Sequence, residues 1–237
     1  MNLTKTIKQQ ALDHANEAYP KEAVGLVYVV KGRNRYYKCK NIADTPDEHF
    51  VLDPKDYLLA EQKGEITAII HSHPKTSPEP SPADQIACEK SDLPWFIVNP
   101  KTEEWKSLIP QGYELPYVGR QFFHGIIDCY SLVRDFYKRE FNIELYDYTR
   151  RDQWWEKGEN MYLDNFAKEG FKQIELGQVG YGDLFLMQLE SPVPNHAAIY
   201  LNDGILLHHV QGRLSSRDVF GGYYQKVTAK ILKHESR

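Results

Sequence analysis

Ile66-Thr67-Ala68-Ile69-Ile70-His71-Ser72-His73-Pro74, followed after a short loop by Ser81-Pro82-Ala83-Asp84, decides how the first half of this 237-residue chain folds. The five residues before His71 are mostly apolar and rich in β-branched side chains, the pattern of a buried strand. Residues two apart on a strand project to one face, so His71 and His73 leave the strand end side by side. Ser81 suits a helix N-cap, Pro82 the first helical position and Asp84 the first turn. Each piece alone is ordinary. Together they aim two imidazoles and one carboxylate at one point and leave a fourth tetrahedral position open, as catalytic zinc sites do. The expected ligands are His71, His73 and Asp84, and the expected metal is zinc.

Working outward, Leu3, Ile7, Ala11, Ala15 and Ala18 recur at helical spacing until Pro20 ends the pattern, and residues 24–30 read as a buried strand. Beyond the Ser81 helix, residues 95–98 and 105–109 flank Asn99-Pro100-Lys101-Thr102-Glu103, the pattern of a β-hairpin. An α/β domain is therefore expected to end near Ile109. Two prolines and a glycine between 110 and 116 mark a boundary, giving expected domains 1–111 and 112–237. The chain is long enough for both to bury cores.

His71-x-His73-Pro74 and Ser81-x-x-Asp84, with Glu22 upstream in Tyr19-Pro20-Lys21-Glu22-Ala23-Val24-Gly25, resemble the JAB1/MPN (JAMM) metallopeptidase signature. The resemblance implies a cytidine-deaminase-like zinc domain in which Glu22 is the general base and Ser81 stabilises the oxyanion. A carboxylate beside an activated water can take its proton and return it to a leaving amine.

The second half opens on Asp128-Cys129-Tyr130-Ser131-Leu132-Val133-Arg134-Asp135-Phe136-Tyr137, where apolar residues repeat at helical spacing behind the cysteine. A helix N-terminus favours the thiolate, so Cys129 is the candidate nucleophile and a lowered thiol pKa is expected. Cys39 and Cys88 read as core residues. Downstream, Asn195-His196-Ala197-Ala198-Ile199-Tyr200-Leu201 and Gly204-Ile205-Leu206-Leu207-His208-His209 read as strands joined at Asn202-Asp203-Gly204, a good hairpin turn. Adjacent strands bring a histidine from each side together, one as base and one to orient it.

This half resembles the NlpC-type cysteine endopeptidases. Pro116-Tyr117-Val118-Gly119, Asp128-Cys129, Gly182-Asp183-Leu184-Phe185 and His196-Ala197-Ala198-Ile199-Tyr200 fall in that family's order. The resemblance implies a papain-like α+β domain with an antiparallel sheet, Cys129 as nucleophile, His196 as base and Tyr117 lining the substrate site. His208 and His209 compete for the third role because successive strand residues face opposite ways; following Leu206-Leu207, His208 matches the family's third residue. Tyr130-Ser131 stands where the family has Ser-Gly, which predicts a large side chain beside the nucleophile.

The order of the two domains resembles that of tail assembly proteins of lambda-like phages. It implies tail-tip proteins as partners, peptidoglycan stem peptides as substrate, and synthesis in the host cytoplasm, with a place at the virion tail tip and host periplasm during infection. A formal charge of −4 gives no overall basic face for nucleic acid, and Lys138-Arg139 and Arg150-Arg151 read as solvated surface. Three cysteines do not make a disulfide scaffold. No apolar run approaches a membrane span, so membrane insertion is not expected, and the first twenty residues read as an amphipathic helix rather than a signal peptide. The aromatic stretch 146–162 reads as a packed face.

Overall fold

A computed structural model describes residues 2–237. The chain divides into two compact units, Met1–Glu114 and Leu115–Arg237.

In the first unit, α1 (Lys5–Ala18) is followed by the hairpin β1 (Val24–Val30) and β2 (Arg33–Cys39), then α2 (Pro54–Glu61), β3 (Glu65–Ser72), α3 (Pro82–Ser91), β4 (Trp95–Val98) and β5 (Trp105–Leu108). The sheet order is β2-β1-β3-β4-β5. Only β3 and β4 run parallel, because α3 carries the chain back across the sheet between them. Alternation along the strands splits the core in two. Val24, Leu26, Ile69 and Trp95 pack with Ala60 of α2 and Cys88 of α3 on one face; Val27, Ala68, Ile70 and Phe96 pack with Ile7 and Ala11 of α1 on the other. The result is three layers with the sheet in the middle. β1 leaves no room above Gly25, where a Cβ would lie 2.3 Å from the Tyr36 hydroxyl, itself bonded to His14 Nδ1 at 3.0 Å.

In the second unit, α4 (Cys129–Phe141) and α5 (Met161–Asn165) precede β6 (Phe171–Gln173), β7 (Leu184–Met187), β8 (His196–Tyr200), β9 (Ile205–His208), β10 (Ser216–Val219), α6 (Gly222–Val227) and β11 (Thr228–His234). All pairs in its sheet, ordered β10-β9-β8-β7-β11-β6, are antiparallel. Leu184, Leu186, Ala197, Ile199 and Leu207 pack under α4 through Leu132, Val133, Phe136 and Tyr137. Phe185, Met187, Ala198 and Leu206 pack on the opposite face against Phe220, Tyr224 and Val227. The β8–β9 turn is tight: Asn202, Asp203 and Gly204 all have positive φ, a region that Asn, Asp and Gly tolerate best.

Arg150 departs from the sequence reading. It is buried rather than solvated, with Nε 2.6 Å from Asp128 Oδ2 and Nη2 2.8 Å from the Gly125 carbonyl. Asp128 caps α4, accepting from Ser131 N at 2.8 Å, so a charged helix cap requires a buried cation beside it. Arg120, almost wholly buried, similarly ties the carbonyls of Leu115 and Pro116 to Asp135 on α4.

Candidate functional site

The first cluster forms where β3 ends. Val24 of β1 pairs with His71 of β3, and the same register carried two residues further sets Glu22 opposite His73. Ala23 N and Ser72 Oγ hold that end closed at 2.8 Å. Glu22, His71 and His73 thus share the sheet face that carries α3, and α3 supplies Asp84 from its first turn. His71 Nε2 lies 3.1 Å from His73 Nε2 and 3.2 Å from Asp84 Oδ1; His73 Nε2 lies 3.4 Å from Asp84 Oδ2.

These distances fit a metal. A tetrahedral shell with bonds of about 2.0–2.1 Å separates its ligand atoms by roughly 3.3 Å. His73 Nδ1 donates to the Ser77 carbonyl at 2.9 Å, which leaves the Nε2 lone pair facing inward. Two imidazole nitrogens and a carboxylate, all buried and converging within 4.8 Å, are a donor set with a cation's place between them. Although burial opposes it, the imidazoles of His71 and His73, 3.2 and 3.4 Å away, hold the Asp84 carboxyl far below its ordinary range. Burial pushes the Glu22 carboxyl up to about 8, with His73 opposing and Asp84 adding to the shift.

Ser81 is the N-cap of α3, in a reciprocal box with Asp84. Its hydroxyl donates to Asp84 Oδ2 at 2.7 Å, so here it orients the carboxylate.

The second cluster lines a cavity of about 290 Å³ whose walls include Asp128, Cys129, Arg150, Trp154, Trp155, Tyr162, His196 and His209. Cys129 opens α4 as expected, but its pKa goes the other way: burial pushes the thiol up to about 11, and Asp128 adds to it. The cap that starts the helix is anionic, so it cancels what the helix N-terminus offers. The thiol meets the Tyr162 hydroxyl at 3.3 Å and the backbone N–H of Ala197, and among the described residues no hydrogen bond joins it to His196. Strand alternation explains this: His196 lies on the face of Ala198, whereas α4 packs on that of Ala197, so Cys129 and His196 converge only at the cavity beside the start of β8.

The imidazole that bonds His196 is that of His208, with His196 Nε2 and His208 Nδ1 3.1 Å apart. His208 Nε2 in turn lies 2.9 Å from Asp218 Oδ2. Burial, then the neighbouring His208, pulls His196 down to about 3, so it is neutral at physiological pH. His209 takes no part in that bond; it lines the same cavity edge-on to Phe122, with ring centroids 5.0 Å apart.

Two residues depart from their expected places. Tyr117 does not line the cavity; its hydroxyl donates to Glu140 at 3.0 Å and its ring packs on Phe136. Tyr130 points into the core, with its hydroxyl on the Tyr146 carbonyl at 2.9 Å, so it does not crowd the thiol's outer side. Sequence reasoning missed Tyr162 and Asp218. Nothing marks Asp218 except a polar residue in Ser216-Arg217-Asp218-Val219, a strand with the alternation of an edge. Of the two tryptophans read as packing, Trp154 is buried in the core, and both edge the cavity.

Comparison with known proteins divides the chain in the same way. The profile for prokaryotic homologs of the JAB domain matches residues 4–108, and that of the NlpC/P60 family matches 116–233. Tail tip assembly protein K of Escherichia phage N15 is 39% identical over 238 residues, covering 97% of this chain and 96% of that protein. Tail tip assembly protein K of Escherichia phage lambda is 42% identical over 185 residues, covering 78% and 90%. Among solved structures, a Desulfitobacterium hafniense protein is 27% identical, covering 48% of this chain and 94% of its own, with a TM-score of 0.38. A JAB1/MPN domain protein from Archaeoglobus fulgidus is 20% identical, covering 46% and 87%, with a TM-score of 0.30. With both domains matched in order and a relative similar from end to end, the chain belongs to the phage tail tip assembly protein K family, a JAB domain followed by an NlpC/P60 domain.

Proposed function

We propose that this phage tail-tip protein carries two hydrolytic sites, and that the C-terminal one is a cysteine endopeptidase acting on peptidoglycan stem peptides. The observation that carries the reading is the cavity that Cys129 and His196 share, with His208 bonded behind His196. The neutral thiol passes its proton to neutral His196 as substrate binds, the sulfur attacks the scissile carbonyl, and the imidazolium returns the proton to the leaving amine. The Ala197 N–H, already directed at sulfur, is placed to hold the developing negative charge. Catalytic hydrogen bonds of this kind commonly close only with substrate present.

The N-terminal site is proposed as a zinc peptidase or isopeptidase held by His71, His73 and Asp84. Zinc bound there supplies Lewis-acid polarisation of a carbonyl or of water. Glu22, buried beside His73 and Asp84, would accept and return the proton once a bound cation favours its ionised form, while Ser81 fixes Asp84 and offers a hydroxyl at the site. The partners are other tail-tip proteins, met in the host cytoplasm during assembly and at the virion tip thereafter; among the described residues no helix is long and apolar enough to cross a membrane.

The test is mass spectrometry of Gram-negative sacculi digested with wild type, Cys129→Ala and Asp84→Ala. Stem-peptide cleavage lost by about 10⁴-fold or more in Cys129→Ala and retained in Asp84→Ala is the expected outcome. Absence of cleavage by every protein favours a second reading, a non-catalytic assembly factor with relic sites, which the thiol's bond to Tyr162 supports. Phage complementation by Cys129→Ala and His73→Ala then decides whether surfaces alone suffice.

A further inference from the structure

Three neighbouring antiparallel strands carry one polar line across the second sheet. His208 of β9 pairs with Ala198 of β8, two residues from His196, and with Ser216 of β10, two residues from Asp218. Each step is a diagonal between same-face neighbours, the reach at which long side chains on adjacent strands meet. The two contacts, 3.1 Å from His196 Nε2 to His208 Nδ1 and 2.9 Å from His208 Nε2 to Asp218 Oδ2, use all of His208's hydrogen-bonding capacity.

The direction of these bonds follows from the end group. An ionised carboxylate only accepts, so His208 Nε2 carries the proton that faces Asp218. Burial, with Asp218 opposing, keeps His208 below the ordinary imidazole value, so at neutral pH it holds one proton and its Nδ1 is bare. That bare Nδ1 accepts from His196 Nε2–H. His196 Nδ1 is then the atom left with a lone pair, the only one that can take a proton from a thiol. Asp218 is itself held in place, since Arg213 Nη2 at 3.2 Å and the Tyr224 hydroxyl at 3.1 Å donate to the same oxygen. The Tyr224 ring stands edge-on to His208 with centroids 4.9 Å apart and blocks the imidazole from turning.

We propose that Asp218 is a positioning residue that sets, through His208, the tautomer in which His196 acts as base. The inference rests on the reading of Cys129 and His196 as nucleophile and base, but its structural content stands apart from whether any peptide is cleaved. Without the carboxylate, His208 is free to move its proton to Nδ1, donate to His196 Nε2 and leave the proton of His196 on Nδ1, where it can no longer accept from sulfur.

The test is long-range ¹⁵N–¹H correlation of the histidines in the full chain at pH 7, alongside kinetics on a stem-peptide substrate. In the wild type, His196 and His208 are expected each to show a protonated Nε2 and a bare Nδ1; the reverse pattern in either ring overturns the proposal with no variant needed. In Asp218→Ala, both rings should lose that single pattern and kcat should fall about tenfold or more with KM nearly unchanged. Asp218→Asn, which keeps an acceptor oxygen, should restore the wild-type tautomers and most of kcat. Unchanged tautomers in Asp218→Ala with the sheet intact would overturn the role. A wild type that shows the expected tautomers and the Asp218→Ala change but cleaves nothing supports the positioning role while rejecting the peptidase reading.

Discussion

The two sites are assembled on different principles. The N-terminal cluster takes its three candidate ligands from residues 71 to 84, one strand end and one helix start, and these donors lie at ligand spacing. The C-terminal cluster runs from Cys129 at the tip of α4 through β8 and β9 to Asp218 on β10, and among the described residues no hydrogen bond joins the candidate nucleophile Cys129 to the candidate base His196. A site made from neighbouring residues is fixed by local geometry, whereas one spread over a sheet depends on register and on which face each residue meets.

The largest effect expected concerns the compact site. Wild type should hold about one zinc per chain and Asp84→Ala should lose more than about 100-fold in zinc affinity, since even partners outside the metal shell are worth 10–100-fold. Metal analysis after dialysis reads this directly, and Cys129→Ala should retain the full complement. Equal zinc in wild type and Asp84→Ala would remove the first half of the comparison.

The dispersed site should instead be costly to disturb in its scaffold. Arg150→Ala leaves the Asp128 carboxylate buried without a counter-ion, and breaking such a pair costs about 3–5 kcal/mol. Removing Lys75 from its exposed, solvent-screened pair with Asp47 should barely move the unfolding midpoint. Urea unfolding of the two variants measures both; similar losses would mean that Arg150 is no more buried in solution than Lys75.

A smaller effect separates a resting thiol from a resting ion pair. With the Cys129 thiol pushed up to about 11 and His196 held down to about 3, the resting pair is neutral. A raised thiol pKa means the thiolate is scarce at neutral pH and grows as pH rises. Iodoacetamide alkylation, corrected with Cys129→Ala for Cys39 and Cys88, should therefore quicken about tenfold per pH unit between about 7 and 10. A rate independent of pH over that range would show a pre-formed thiolate and reverse the electrostatic account.

The same contrast explains what the sequence revealed. His71, His73 and Asp84 were legible because a two-residue strand period and a helix cap are short-range facts. The β8–β9 hairpin was legible through Asn202-Asp203-Gly204, and with it the His196–His208 neighbourhood. The choice between His208 and His209 needed the pairing of Ala198 with His208, which no local pattern encodes. Arg150 was misread because adjacent arginines look solvated until Asp128, twenty-two residues earlier, is brought against one of them. Asp218 and Tyr162 escaped notice for the same reason: their partners, His208 and Cys129, lie on other elements.

The smallest expected effect tests the residue whose place differs most from what family resemblance implies. Tyr117 packs against α4, its hydroxyl on Glu140 and its ring against Phe136, and it is not among the cavity walls. Tyr117→Phe removes one partly exposed hydrogen bond and keeps the ring, so stem-peptide cleavage should stay within about twofold and stability within about 1 kcal/mol. Tyr162→Phe, by contrast, removes the hydroxyl that touches the thiol and should alter the alkylation rate of Cys129. A drop in kcat/KM of more than tenfold in Tyr117→Phe, with Tyr162→Phe silent, would mean that substrate draws the 116–119 segment to the cavity. The dispersed site would then be completed by ligand as well as by fold.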